Sequence, residues 1–321
     1  MNGSGWALRI RLACGALLLL LAAIVWQRGA LVERLQAAWF DAHQALWPRS
    51  VATLPVTVVA IDQRSLQEIG QWPWPRNVLA RLLRVVQRAE PAAIGVNIVM
   101  PEPDALSPER LLAQAQVDDP TLAAALRAQP THDAQLARAV AAAPTVLVVA
   151  GTTEPSPHPL RAVPVMLRSA SGAAAPDAPP QVPAHAGALT SIDELDRKAT
   201  GWGLISAEST RGLIRRMPTV ASIDGTLLPS LALEMLRVAQ RAPAVALTVD
   251  GGAVHGAVVG ALQIPTEDDG GVRLYFSPHL EQRFVSAVDV LDGRVREAEL
   301  RGQLVLVGLT GVALQPLQNT P

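Results

Sequence analysis

The sequence contains very little cysteine, few aromatic residues and no excess of charge of either sign. Its 321 residues include one cysteine, Cys14, so an internal disulfide framework and a Cys-x-x-Cys metal site are excluded. The 27 Lys and Arg residues nearly balance the 28 Asp and Glu residues, which gives a formal net charge of -1. The protein therefore has no overall positive field that would attract nucleic acid, and no nucleic-acid partner is predicted.

The sequence also lacks the common catalytic motifs. It has no phosphate-binding P-loop, no Gly-x-Gly-x-x-Gly after a strand, no His-Glu-x-x-His and no Gly-x-Ser-x-Gly. A hydrolytic trio of Asp62, Ser65 and His132 can be imagined, but no pattern brings the three together. Ser65 is better explained as a helix cap. We therefore expect no enzymatic activity, no cofactor and no metal site.

The longest apolar segment lies near the N-terminus, in Ala7–Gln27. Its uncharged part, Leu12–Trp26, is short for a spanning helix, which needs roughly 20 residues, but Arg9 and Arg11 can snorkel and extend the usable length back toward Trp6. A cleaved signal peptide has the same order of basic and apolar residues, but no small-x-small cleavage site follows here. We favour an uncleaved anchor, with residues 1–28 as cytoplasmic N-terminus and transmembrane helix. The positive-inside rule then places residues 29–321 outside the cytoplasm.

The most informative stretch is Val56–Arg76. It opens with a run of mostly β-branched residues, VTVVAI, which is typical of a strand buried on both faces. Ser65 followed by Glu68 has the spacing of a capping box and predicts a short helix, which Gly70 is suited to end. The Trp-Pro-Trp-Pro that follows cannot be regular helix, because each proline pushes the residue before it into an extended conformation. Its last proline, Pro75, suits the first position of the next helix.

Two further apolar runs, Ala93–Met100 and Thr145–Ala150, also have the character of strands, and an amphipathic helix is predicted at Arg76–Ala89. The order strand, helix, strand predicts a right-handed parallel βαβ unit. Ligands bind outside the carboxyl ends of the strands in open parallel sheets. The polar residues expected to converge at that edge are Asp62, Asn97, Glu102 and Asp104. The alternative is that Asp62 only caps a turn and pairs with Arg76.

The second half of the chain follows a segment rich in Pro, Ala, Ser and Gly, residues 151–190. We interpret this segment as a flexible loop because it shows no periodicity. Pro229–Arg241 has the pattern of an amphipathic helix. Leu262–Pro265 and Val272–Phe276 are strand-like and are separated by an acidic turn, so they predict a hairpin. A buried strand is expected at Leu304–Thr310.

The stretch Val56–Arg76 resembles the signature of the CHASE2 domain. The residues that carry this resemblance are Asp62, Ser65, Gly70, Trp72, Pro73, Trp74, Pro75 and Arg76. Asp133, at a predicted helix start before the third strand, also matches the family pattern. In the second half the matching residues are Gly203, Gly212, Arg215, Arg216 and Pro218. The likeness runs from about Asp41 to Pro321.

The sequence departs from the family pattern at three acidic positions. Asn97 stands where an Asp is usual, residues 208–211 replace an Asp-rich turn, and no Asp lies near Pro316. These departures imply either a changed ligand or the loss of the family's site.

The resemblance implies an extracytoplasmic sensor domain of a bacterial receptor in the inner membrane. The implied fold is α/β, with a mixed, largely parallel sheet flanked by helices and preceded by one transmembrane helix. It also implies an unidentified small-molecule ligand, a homodimer, and an adenylate cyclase, diguanylate cyclase or kinase as output, none of which this sequence contains. An envelope module that binds another protein without signalling, and a periplasmic hydrolase, are the alternatives.

The resemblance and the position of the strands together give a set of candidate ligand-binding residues. Arg215 is included because an arginine in a strand beside the first sheet is expected to face a carboxylate such as Asp62, or an anionic ligand. The full set is Asp62, Ser65, Trp72, Trp74, Arg76, Asn97, Glu102, Asp104 and Arg215.

Overall fold

The structure, a computed structural model, describes residues 14, 15, 17, 37–48, 54–114, 119–156, 160–170, 176–207 and 213–311. The predicted anchor Ala7–Gln27 lies almost entirely outside these ranges, as do the altered turn at 208–211, Gly212 and Pro316. Within the described ranges, no helix combines the length and the apolar character needed to cross a membrane.

The secondary structure alternates strands and helices through most of the chain. The helices are α1 (residues 37–46), α2 (Gln63–Ile69), α3 (Arg76–Arg88), α4 (Pro108–Gln114), α5 (Pro120–Arg127), α6 (His132–Ala141), α7 (Asp193–Asp196), α8 (Leu231–Ala239) and α9 (Ala287–Leu291). The strands are β1 (Val56–Ile61), β2 (Ala93–Asn97), β3 (Thr145–Thr152), β4 (Val165–Ser169), β5 (Ala184–His185), β6 (Gly187–Leu189), β7 (Gly201–Leu204), β8 (Arg216–Pro218), β9 (Val220–Ile223), β10 (Thr226–Pro229), β11 (Val245–Asp250), β12 (Ala253–Val259), β13 (Leu262–Pro265), β14 (Gly271–Arg273), β15 (Phe284–Ser286) and β16 (Leu304–Leu309).

The chain divides into two compact units, and the smaller one contains α1 and Tyr275–Pro278. The Tyr275 ring meets Phe40 edge-on, with 6.0 Å between ring centroids. The backbone N–H of Phe276 donates to Gln44 Oε1 over 2.7 Å. These contacts hold Tyr275–Pro278 against α1.

The larger unit is built on a seven-stranded sheet with the order β15-β1-β16-β2-β3-β6, in which β7 also pairs with β3. All its pairings are parallel except that of β3 with β6. The prediction of a mixed, largely parallel sheet is therefore confirmed. The predicted strand at Val56–Ile61 is also confirmed, at the bounds of the apolar run.

Helices cover both faces of this sheet. Side chains alternate between the faces of a strand, and β16 shows the alternation clearly. Val305 and Val307 belong to the cluster that contains the buried face of α3, whereas Leu304 and Leu306 pack with Met235 of α8. Burying each such side chain contributes about 1.5–3 kcal/mol relative to leaving it exposed.

The predicted βαβ unit is corrected in one respect. β1 and β2 run parallel and are joined through α3, but β16 lies between them and pairs with both. The sequence order of the first two strands therefore differs from their spatial order. The apolar runs that form β1 and β2 do not reveal that a strand from the far end of the chain inserts between them.

The second half forms a four-stranded sheet, β13-β12-β11-β4, and two smaller sheets. The predicted hairpin between Leu262–Pro265 and Val272–Phe276 is wrong, because β13 pairs with β12 and β14 pairs with β8. The interpretation of residues 151–190 as a loop without regular structure is also wrong for the described part. That part contains β4, β5 and β6. β4 obtains its pairing from β11, far along the chain, which no local pattern reveals.

Candidate functional site

The end of β1 is tied to β15 and α9 by a hydrogen-bond cluster. Asp62 caps α2 by accepting from the backbone N–H of Ser65 over 2.8 Å, and it accepts from Ser286 Oγ over 2.9 Å. Ser65 is fully buried, and its hydroxyl lies 2.9 Å from Ser286 Oγ and accepts from the Val288 N–H over 3.1 Å. The prediction that Ser65 is the cap is therefore wrong, since Asp62 takes that position. Both residues hold the two strand ends together.

The signature tetrapeptide forms a turn between α2 and α3. Gly70 ends α2 with φ of +126° and ψ of 172°, a conformation that is essentially restricted to glycine. The Trp74 indole N–H donates to the Gly70 carbonyl over 2.8 Å, and the Trp72 ring lies 5.9 Å from that of Trp74. Pro75 is the residue before the first turn of α3, one position earlier than predicted.

A cleft of 540 Å³ opens beside this turn, at the carboxyl end of β2; we call it the signature cleft. This volume falls within the range of small-molecule sites. The candidate residues that line it are Trp72, Trp74, Arg76, Asn97, Glu102 and Asp104. Asp62, Ser65 and Arg215 do not line it. The structure thus brings together the aromatic turn and the segment that follows β2.

Asp104 is buried and fixes that segment against the helices. One of its carboxylate oxygens accepts from the Arg76 backbone N–H over 2.8 Å and lies 2.9 Å from His132 Nδ1. The other accepts from the Leu106 N–H over 2.9 Å. Burial raises the pKa of Asp104, but these hydrogen bonds outweigh it and hold the pKa below its usual value. Its carboxylate is therefore used within the protein.

Arg76 pairs with Asp133 and not with Asp62. The distance between Arg76 Nη1 and Asp133 Oδ1 is 2.5 Å, and the guanidinium also donates to the Glu102 carbonyl. Asp133 accepts in addition from the Asp104 N–H over 3.0 Å. The alternative interpretation of Asp62 is thus right about its cap and wrong about its pairing. Asp133, in the first turn of α6, was missed as the partner of Arg76, although its match to the family pattern pointed to it.

Two polar side chains of the signature cleft are not committed to the protein. The Asn97 amide and the Glu102 carboxylate have no hydrogen-bond partner among the residues that the structure describes. Trp72 is half-buried beside them. The cleft therefore offers a ligand one amide, one carboxylate and an aromatic surface.

Arg215 lies elsewhere in the larger unit. It precedes β8, which pairs with β14 in a separate two-stranded sheet, so the expectation of a strand beside the first sheet is wrong. Arg216, its neighbour, lies 2.5 Å from Glu267 and 2.6 Å from Asp269. Burial raises the pKa of Asp269, but the Arg216 guanidinium reverses the effect and lowers it.

No metal centre is evident in the part of the chain that the structure describes, where no three His, Cys, Asp or Glu side chains are close enough to share an ion.

A cleft at the carboxyl edge of a parallel sheet covered by helices is a position at which α/β proteins often bind ligands. The chain belongs to the CHASE2 domain family, whose family model matches residues 16–321. CHASE2 domains are sensory domains. No curated protein and no solved structure matches the chain.

Proposed function

We propose that this protein is the extracytoplasmic sensor of a membrane receptor and that its ligand binds in the signature cleft. The observation that carries the proposal is the pair of uncommitted polar groups, Asn97 and Glu102, beside the aromatic turn of the family signature. Uncommitted polar groups in a cleft fix the orientation of a ligand, while the aromatic surface supplies contact area.

The polar groups favour a hydrogen-bonding organic ligand over a bare cation. An amide at position 97 carries no charge, so the cleft holds a single uncommitted carboxylate, that of Glu102. Divalent cations are usually bound by several oxygen ligands that include more than one carboxylate. The substitution of the usual Asp by Asn97 is therefore consistent with a changed ligand.

Signalling requires that the ligand distinguish two conformations of the domain, since a ligand with equal affinity for both shifts nothing. The segment from Pro101 to Asp104 is a suitable element for such a change. It lines the cleft, and Asp104 attaches it to Arg76 and His132. A ligand that contacts Glu102 would act directly on this segment.

The binding proposal is tested by thermal unfolding of the purified protein against a broad set of small metabolites. A ligand present at about 100 times its Kd should add about 2.7 kcal/mol to the free energy of unfolding. The variant Glu102→Gln should lose this gain, whereas Glu109→Gln, an exposed glutamate on α4, should keep it.

Two outcomes would contradict it. One is an equal gain in Glu102→Gln and in the parent. The other is no gain with any metabolite together with a protein partner recovered by cross-linking, which would favour the module that binds another envelope protein.

The membrane topology is part of the same proposal. An alkaline phosphatase fusion after residue 50 should be active if the domain lies outside the cytoplasm, because the enzyme folds only there. A stable but inactive fusion would reverse the proposed orientation. Sedimentation of the purified protein should give a homodimer, and a monomer at all concentrations would remove that part of the proposal.

A further inference from the structure

The buried acidic residues of the larger unit differ in how their charge is balanced. They are Asp104, Asp133, Asp196 and Glu234. Asp104 lies 2.9 Å from His132, Asp133 lies 2.5 Å from Arg76, and Glu234 lies 2.6 Å from Arg237.

Asp196 is the exception, because it has no basic partner within ion-pair distance among the residues that the structure describes. Only 7% of Asp196 is exposed. A carboxylate is rarely buried unless a cation accompanies it, since burial disfavours its charged form. A partner for this group is therefore to be sought outside the protein.

Asp196 lines a cleft of 560 Å³, which we call the second cleft. Its apolar walls come from Leu160, Ala188 and Ile192, and Trp202 adds an aromatic side chain. The Trp202 indole N–H is buried without a hydrogen-bond partner in the described part of the chain. The second cleft thus combines one buried carboxyl group with a partly apolar enclosure of ligand size, in which Arg161, Asp193 and Arg197 are the other charged lining residues.

The electrostatic environment leaves Asp196 between its two protonation states at neutral pH. Burial and, to a smaller extent, the nearby Asp193 carboxylate raise the pKa of Asp196, whereas a hydrogen bond from Thr190 and the positive charge of Arg161 lower it, and together these effects raise it to about 7. Arg197, the other charged residue of this cleft, pairs with Asp193 over 2.7 Å with both side chains exposed. The charges around Asp196 therefore do not neutralise it.

We propose that the second cleft binds a small organic ammonium compound with a short apolar body. The ammonium group pairs with the Asp196 carboxylate and supplies the missing positive charge. The apolar body lies against Leu160, Ile192 and Trp202. This site adjoins the signature cleft at Pro101 but has its own charged group, and it does not depend on the ligand proposed there.

The test is a titration of the purified protein with n-butylammonium chloride at pH 8, followed by calorimetry. n-Butanol has the same body without the positive charge and sodium n-butyrate a slightly shorter one with a negative charge, so both should bind at least about tenfold more weakly. Asp196→Asn should weaken n-butylammonium binding by at least about tenfold as well. Glu194→Gln, which removes an exposed carboxylate of the same helix that does not line the cleft, should change it by less than about threefold.

A second arm uses the parent protein alone and covers the case in which Asp196→Asn fails to fold. A proton competes with the ammonium group for Asp196, whose pKa is raised to about 7. Affinity for n-butylammonium should therefore fall about tenfold between pH 8 and pH 6, since the ionised fraction of the carboxyl group falls by that factor.

Equal binding by n-butanol or n-butyrate, or an affinity that does not change between pH 8 and pH 6, would overturn the proposal. So would loss of n-butylammonium binding in Glu102→Gln, because that result would place the compound in the signature cleft. Failure of the metabolite screen at the signature cleft would leave this result unaffected.

Discussion

The signature cleft and the second cleft both reach Pro101, yet they treat their buried carboxylates in opposite ways. Asp104, which lines the signature cleft, and Asp133, which pairs with the lining residue Arg76, each accept at least two hydrogen bonds and have a basic partner. In the second cleft, Asp196 has no such partner among the described residues. The paired carboxylates stabilise the fold, whereas the carboxylate of Asp196 is the group that we propose to pair with a cationic ligand.

The largest effect should come from breaking a pair in the signature cleft. Arg76→Met leaves the buried Asp133 carboxylate without its cation, and we expect the free energy of unfolding to fall by about 3–5 kcal/mol. Urea denaturation at pH 7 measures this loss. Arg84→Met is the matched control, because Arg84 Nε donates only to the Ala80 carbonyl of its own helix.

The control should change stability by less than about 0.5 kcal/mol. If Arg76→Met lowered the free energy of unfolding no more than the control, the pair with Asp133 would not stabilise the protein. The claim that paired carboxylates near the signature cleft stabilise the fold would then be wrong.

An intermediate effect is expected for Asp104→Asn, which turns one accepting oxygen into a donor facing N–H groups. The loss at pH 7 should be about 1–3 kcal/mol. The pKa of Asp104 is lowered on folding from its usual 3.8, so the stability that its carboxylate contributes is present above that value. That stability is lost as the pH falls through the folded pKa.

Denaturation at several pH values checks this sign. The difference between the parent and Asp104→Asn should be largest at neutral pH and should shrink below about pH 4. A difference that stays constant over this range, as expected for the control Glu109→Gln, would show that the charge of Asp104 contributes nothing.

The smallest effect has the opposite sign. The pKa of Asp196 is raised on folding from 3.8 to about 7, so the folded protein binds the extra proton and stability falls as the pH rises through that window. Asp196→Asn removes the titrating carboxyl group and therefore this fall in stability at high pH. We expect the variant to be more stable than the parent by about 1 kcal/mol at pH 8 and nearly equal to it at pH 4.

Thermal unfolding at the two pH values measures this gain, and Glu194→Gln should show almost none of it because Glu194 is an exposed residue of the same helix. A variant less stable than the parent at pH 8 would mean that Asp196 has an internal partner, and the contrast between the clefts would disappear.

The parts of the fold that sequence predicted well are those with a strong local pattern. β1 and α3 appear within a residue of the expected bounds because a β-branched run and a helical stripe each carry their own signal. The cap of α2 was misplaced because Asp and Ser are equally good caps. What decides between them is Ser286 and Val288, from the far end of the chain, which engage the Ser65 hydroxyl.

The candidate site was predicted in part for a related reason. The rule that ligands lie at the carboxyl ends of parallel strands places Asn97, Glu102 and Asp104 correctly at one cleft. It also included Asp62, because the sequence does not reveal that Ser286 approaches it. Asp196 carries no local signal, since its unusual environment arises from burial and from residues of other elements.

The position of β16 has a consequence for folding during synthesis of the chain. β1 and β2 are made early but share a sheet only through a strand that is made near residue 309. Until then each has an unpaired edge, and such edges recruit strands from other chains. Contacts of such long sequence separation also form slowly. During synthesis, the edges of β1 and β2 that β16 covers in the finished sheet therefore stay open to other chains until the last strand has been made.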